Sequence, residues 1–207
     1  MNSKPKIGLF GGSFDPVHLG HLLVALAAVE ELGLDRLFFI PAAQSPFKPE
    51  NHAAPAALRL RLLRLALAGK TNCEVDDQEL RRGGVSYTVD TLRDYARRFP
   101  QAELFYLIGA DNVAKLPEWR EPAELARLAE FVVIPRPVGS SGFSRSAPPP
   151  EGGTPNFPAP FRGRMLKGFP LGVSSSQIRA RVRAGLPIDS LVPAAVVEAI
   201  RGAGLYV

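Results

Sequence analysis

Apolar positions along this chain fall into two alternating kinds of run. Short, mostly apolar runs at residues 7–10 and 36–40 read as strands, and the continuous apolar runs at 104–108 and 131–134 as strands covered on both faces. Between them the apolar positions take helical spacing, at 19–32, at 56–68 (Leu58, Leu62, Leu65 and Ala66 form one stripe) and at 88–98. Residues 73–75 add a short strand, and Phe99-Pro100 stops the helix before it. Strands that alternate with helices imply an α/β fold, a parallel sheet flanked by helices. In such sheets ligands sit beyond the carboxyl ends of the strands. Residues 174–184 and 193–201 read as two more helices, which makes 172–207 a C-terminal helical part.

Residues 136–163 break the alternation. They hold Pro148-Pro149-Pro150 and Gly152-Gly153 among many Pro, Gly and Ser residues, and are expected to be a flexible surface excursion rather than a core element. The rest is rich enough in apolar residues, 46% over 207 residues, for one domain spanning 1–207. The single Cys73 excludes an internal disulfide framework and a cysteine metal cage. The start of the chain is short and polar, and no run of about 18 apolar residues follows, so a cytoplasmic location and no membrane partner are expected. A net charge of +5, with arginines clustered at Arg59/Arg61/Arg64, Arg97/Arg98 and Arg179/Arg181/Arg183, suits anionic substrates. No aromatic-interleaved basic motif accompanies them, so no nucleic-acid partner is expected and a solvated arginine face is the plain reading. A homo-oligomer is left open.

The densest chemistry lies at residues 11–21, between the first strand and the first helix: Gly11-Gly12-Ser13-Phe14-Asp15-Pro16-Val17-His18-Leu19-Gly20-His21. His18 and His21 are three apart at a helix start, so they share a face. A helix N-terminus offers unpaired N–H groups and the positive end of a dipole, a site for phosphate. Two imidazoles beside it suit a phosphate whose charge builds during reaction. A histidine at that position can equally be a helix cap.

The whole segment resembles the GGxFDPxHxGH signature of the nucleotidyltransferases, with every fixed position matched. Ser174-Ser175-Ser176-Gln177-Ile178-Arg179, by itself a helix cap, is similar to the SSTxIR motif of the nicotinate-mononucleotide adenylyltransferases, with Ser176 in place of Thr. Ser86-Tyr87-Thr88-Val89-Asp90-Thr91-Leu92 looks like that family's SYTxDTL, Ile108-Gly109-Ala110-Asp111 like its IGxD and Leu116-Pro117-Glu118-Trp119 like its LPxW. One segment departs: where the family reads IPNxxPPHK, this chain has Ala42 and Phe47 for Asn and His but keeps Lys48.

The resemblance implies a Rossmann-like nucleotidyltransferase fold. It also implies adenylyl transfer from ATP to nicotinate mononucleotide, giving deamido-NAD and pyrophosphate, a step of NAD biosynthesis. Mg²⁺ would be carried mainly by ATP phosphates, and no metal site of the protein's own is expected. It implies catalytic roles for His18, His21, Lys48 and Arg179. ATP binding would involve Gly11, Gly12, Ser13, Phe14, His18, His21, Gly109, Asp111, Ser175, Ser176 and Arg179. Acceptor binding would involve Ser86, Tyr87, Thr88, Trp119 and Asp15. Rival readings keep the chemistry with nicotinamide mononucleotide or phosphopantetheine as acceptor, or make the chain a non-catalytic nucleotide-binding module.

Overall fold

The computed structural model describes residues 3–46, 53–135, 156–169 and 171–207. Lys48 and Phe47, and residues 136–155 of the expected excursion, lie outside them. The chain runs β1 (Lys6–Gly12), α1 (Leu19–Leu32), β2 (Arg36–Pro41), α2 (Ala56–Leu67), β3 (Cys73–Val75), α3 (Gln78–Arg82), α4 (Thr88–Arg98) and β4 (Glu103–Gly109). A 3₁₀ segment (Ala110–Glu118) follows, then α5 (Pro122–Leu128), β5 (Glu130–Ile134), β6 (Gly163–Met165), α6 (Ser175–Arg183) and α7 (Ala194–Gly202).

The six strands form one sheet in the order β3-β2-β1-β4-β5-β6. Every pairing is parallel. Side chains alternate across it because the strand period is two. Phe10, Leu37, Phe39, Phe105, Leu107 and Val132 enter one core with α1, α2, α6 and α7. Ile7, Leu9, Phe38, Ile40, Tyr106, Ile108, Phe131 and Val133 enter the other with α4 and α5. Both faces are covered, which is why these strands read as mostly apolar runs. Each large side chain so buried is worth about 1.5–3 kcal/mol of transfer free energy.

The strand order reverses at β1. From there the chain goes to β2 on one side, and β4 lies on the other. The carboxyl ends of β1 and β4 therefore flank a crevice, where Gly11-Gly12 and Gly109 sit.

Two features correct the expectations from sequence. Residues 156–163 are not all surface excursion: Phe161 is 5% exposed and meets Phe131 edge-on at 5.3 Å. The chain then pairs with β5 as a sixth strand through Gly163↔Phe131 and Met165↔Val133. A Cβ on Gly163 would fall 2.1 Å from the Phe131 carbonyl oxygen, so only glycine lets β6 close on its neighbour. The helices α3 and α5 and the 3₁₀ segment also add to the pattern read from apolar spacing.

Candidate active site

The turn after β1 is built by close approaches. A Cβ on Gly11 would stand 2.5 Å from the Tyr106 hydroxyl, and one on Gly20 would stand 3.0 Å from His18 Nδ1. Phe14 holds a left-handed backbone, φ 45°. That conformation costs a non-glycine residue roughly 1–2 kcal/mol. Its ring is buried against Phe10 (5.4 Å), Phe39 (5.5 Å) and His21 (5.0 Å), which offsets the strain.

His18 is the N-cap of α1, and His21 is its third helical residue. The two cap reciprocally. The His21 main-chain N–H donates to His18 Nδ1 at 3.4 Å, and the His18 N–H donates to His21 Nδ1 at 3.2 Å. Both possibilities raised by the sequence, cap and site, thus fall on the same atoms. The rings stack with centroids 3.7 Å apart. His18 is 6% exposed, and burial lowers its pKa from 6.5 to about 4. Burial first, then the neighbouring His18, holds His21 well below the usual histidine range. Both rings are therefore neutral near pH 7. With each Nδ1 accepting an N–H, the hydrogen-bond pattern assigns the ring proton to Nε2. The cap leaves two Nε2–H donors held in one stack.

A second helix start converges on the same turn. Ser174 caps α6, reciprocally with Gln177. The Ser175 hydroxyl donates to the Pro16 carbonyl at 2.9 Å. Arg179 donates through one Nη to the Asp15 carbonyl at 2.7 Å and through the other to Ser176 Oγ at 3.2 Å. Residues 175–179 and the histidine turn, distant in sequence (Ser175 and Pro16 are 159 apart), are thereby fastened to each other.

Asp15 is 4% exposed, and its carboxylate is committed to protein partners. Oδ1 accepts from the Tyr206 hydroxyl at 2.7 Å and from the Ala54 N–H at 3.2 Å. Oδ2 lies 3.7 Å from Arg179. Beside it, Arg59 is 2% exposed and donates to three carbonyls: Ala54 (3.1 Å), Ser13 (2.7 Å) and Ala42 (2.9 Å). Burial lowers its pKa, and Asp15 and Tyr206 oppose that shift.

On the other side of the crevice lies the segment 85–88. Ser86 Oγ accepts the Ala43 N–H at 3.0 Å, and the Ser86 N–H donates to the Gln44 carbonyl at 2.8 Å. The departing segment around Ala42 and the Ser86-Tyr87-Thr88 segment are therefore bonded neighbours. Tyr87 precedes α4 with no side-chain cap on its first turn, and its ring stacks under Arg120 at 4.7 Å. Thr88 Oγ1 lies 3.3 Å from the Tyr106 hydroxyl. Trp119 stands edge-on to Tyr106 (6.4 Å) and Phe131 (6.3 Å), and its main-chain N–H is used by the Leu116 carbonyl. Underneath, buried Glu79 accepts from Thr91 Oγ1 at 2.5 Å. Burial raises its pKa, against hydrogen bonds from Thr91 and Ser86. Gly109 precedes the 3₁₀ segment, in whose first turn Asp111 is exposed. Among the described residues no group of three or more His, Cys, Asp or Glu could hold a metal ion.

The model of the cytidylyltransferase-like family matches residues 9–181. A "Probable nicotinate-nucleotide adenylyltransferase" of Opitutus terrae is 41% identical over 201 residues, 97% of each chain. One of Chromobacterium violaceum, of the same name, is 41% identical over 217 aligned positions, covering both chains completely. The chain belongs to the nicotinate-nucleotide adenylyltransferase family.

The fold of this family member is also that of the Plasmodium falciparum nicotinic acid mononucleotide adenylyltransferase complexed with NaAD. The TM-score is 0.74 at 17% identity, over 98% of this chain and 97% of that one. The same Plasmodium enzyme complexed with APC gives 0.71 at 17% identity, over 99% and 98%.

Two residues of this adenylyltransferase-family site lie outside its sequence motifs. Arg59 falls in an arginine cluster that suits a solvated face, yet it shares a helix face with Leu62, Leu63 and Ala66, which are buried. That spacing was the available signal. Tyr206 carries none, since nothing near it in sequence points to Asp15.

Proposed function

We propose that the chain transfers the adenylyl group of ATP to nicotinate mononucleotide, forming deamido-NAD and pyrophosphate. A 5′-phosphate oxygen of the mononucleotide attacks the α-phosphorus of ATP. The new P–O bond forms as the bond from the α-phosphorus to the bridging oxygen of pyrophosphate breaks. The nucleophile is already an anion, so no general base is needed, and the work is positioning and charge stabilisation. The observation that carries this reading is the reciprocal cap of His18 and His21, which leaves both Nε2–H groups as donors at the mouth of the β1 turn.

In this reading His18 and His21 meet the α-phosphate. The start of α6, with Ser175, Ser176 and Arg179, takes the β- and γ-phosphates. Lys48, outside the described residues, adds a positive charge to the same oxygens. Gly11, Gly12, Ser13 and Phe14 shape the turn under the nucleotide, and Gly109 and Asp111 border its ribose. ATP enters as its Mg²⁺ complex, the ion held by triphosphate oxygens and water. Asp15 enters as a positioning residue, its carboxylate being bonded to the protein itself. Ser86, Tyr87, Thr88 and Trp119 receive the pyridine ring. The uncapped first turn of α4 offers N–H groups and a dipole end to the pyridine carboxylate. The cytoplasm, where ATP is available, is the compartment of this reading; no helix of the described residues is long and apolar enough to cross a membrane.

The test is pyrophosphate release from Mg²⁺-ATP with nicotinate mononucleotide, nicotinamide mononucleotide and phosphopantetheine in turn. Turnover with the first is expected to lead. No turnover with any acceptor would return the chain to a nucleotide-binding module.

A further inference from the structure

We infer that Tyr206 is a positioning residue for the nucleotide site, holding Asp15 so that Arg179 keeps its place beside Ser176 for phosphate. The inference rests on the proposed role of Arg179 as a phosphate ligand. The tail that carries Tyr206 is anchored. Gly204 and Leu205 donate main-chain N–H groups to Arg201 and Ile200, and the Leu205 side chain is buried in the core beside α7. The Tyr206 backbone is left-handed, φ 68°, and its hydroxyl reaches Asp15 Oδ1 at 2.7 Å.

What this contact does follows from the demands of a buried carboxylate. An ionised carboxyl group that is nearly inaccessible to water must find donors or cations. Around Asp15 the donors are the Tyr206 hydroxyl and the Ala54 N–H, both on Oδ1. The cations are Arg59, spent on three carbonyls, and Arg179. With Oδ1 doubly served, Oδ2 stays 3.7 Å from Arg179. A charge-assisted bond would close to about 2.7–2.9 Å. The Arg179 guanidinium instead touches the Asp15 carbonyl and keeps its other Nη on Ser176, at the start of α6. Take away the phenol oxygen and Oδ1 loses its shorter partner. The carboxylate then turns to Arg179, whose present partners are neutral oxygens, and draws it into a bidentate pair, away from Ser176 and the phosphate position. Tyr206 thus acts on ATP through two other residues, Asp15 and Arg179.

The experiment compares Tyr206→Phe with Tyr95→Phe. Tyr95 makes a matching bond, its hydroxyl donating at 2.7 Å to Asp76, a carboxylate that also faces arginines but lies outside the site. Tyr206→Phe is expected to raise the KM for ATP five- to tenfold and to leave the KM for nicotinate mononucleotide within twofold. The Kd for Mg²⁺ and α,β-methylene ATP, measured without acceptor, should rise by the same factor. Tyr95→Phe is expected to lower the thermal midpoint without moving either KM. In an Asp15→Asn background, where no carboxylate competes for Arg179, Tyr206→Phe is expected to change the analogue Kd less than twofold. An unchanged Kd in Tyr206→Phe, an equal rise in both KM values, or the same Kd rise in both backgrounds would each overturn the inference. A wild-type chain that binds the analogue but makes no deamido-NAD would fail the proposed reaction alone. The Kd comparison would still decide the role of Tyr206.

Discussion

His18 and His21 hold each other: each ring nitrogen Nδ1 accepts the other residue's main-chain N–H, and the rings stack 3.7 Å apart. One pair of side chains therefore starts a helix and presents two donors. These roles are separable by substitution.

His18→Ala and His21→Ala should each lower kcat by about two orders of magnitude or more, the usual loss for a charge-stabilising donor. His18→Ala should also cost about 1 kcal/mol of stability, the worth of an N-cap. His18→Asn keeps a good cap and removes the imidazole. It should restore the thermal midpoint and leave kcat low. Recovery of turnover in His18→Asn would leave the ring with a capping role only.

Stability should fall in mildly acid solution. The pKa of His18 is depressed from 6.5 to about 4, so between those values the unfolded chain binds a proton that the folded chain refuses. The stabilisation is fully present above pH 6.5 and is lost as pH drops toward 4, by on the order of 3 kcal/mol for a shift of this size. His21 adds in the same direction. Urea unfolding from pH 7 to pH 4.5 measures the slope, and His18→Asn should flatten it. An equal slope in both proteins would assign the acid loss to other groups.

Arg59→Lys should be nearly as destabilising as Arg59→Met, each by about 2–4 kcal/mol. Charged hydrogen bonds are worth about 1.5–3 kcal/mol apiece, and a single ammonium cannot reproduce the guanidinium fork across three carbonyls. Full stability in the lysine variant, by urea midpoint, would mean that charge rather than geometry is what this position needs.

Trp119→Ala should weaken the acceptor much more than ATP. Stacking of an indole on a desolvated cationic ring is worth on the order of 1–2 kcal/mol, a fivefold to thirtyfold change in acceptor KM. If the ATP KM moves instead, the indole belongs to the nucleotide side.

The acid acceptor should be preferred to the amide by tenfold to a hundredfold or so in kcat/KM. A carboxylate at the start of α4 gains charge-assisted bonds, whereas an amide turns its NH₂ donors toward backbone donors. One polar group left unpaired costs about 1–3 kcal/mol. Equal values for the two acceptors would remove the first turn of α4 from recognition. The bonds from Ser86 to Ala43 and Gln44 make the substituted segment at Ala42 a direct support of this side.

Four strands were legible because each centres on an apolar run buried on both faces; β3, half-buried Cys73-Glu74-Val75, was legible only as a short alternating segment. The sixth was not: Gly163-Arg164-Met165 is three residues long at a sheet edge, with no periodicity to detect, and its place is set by pairing with β5. The helices α3 and α5 are five and seven residues long, too short to show an apolar stripe. In the site, the histidine turn and the serine-arginine helix start were legible because their chemistry is local to each segment. The Asp15 centre was not, since its partners Ala54, Arg179 and Tyr206 come from three distant parts of the chain. Trp119 was legible as a ring, but not the fact that its main-chain N–H is already taken by Leu116.

The bond from Tyr206 to Asp15 joins residues 191 positions apart. At a synthesis rate of roughly 5–20 residues per second, the ribosome makes Asp15 on the order of 10–40 s before Tyr206. The β1 turn can acquire its strand and its helix cap early, from neighbours made moments later. Its carboxylate must wait for a donor made 191 residues later. The nucleotide site is thus completed late, and a nascent chain that has not yet reached Tyr206 carries the whole histidine motif with Asp15 still missing one donor.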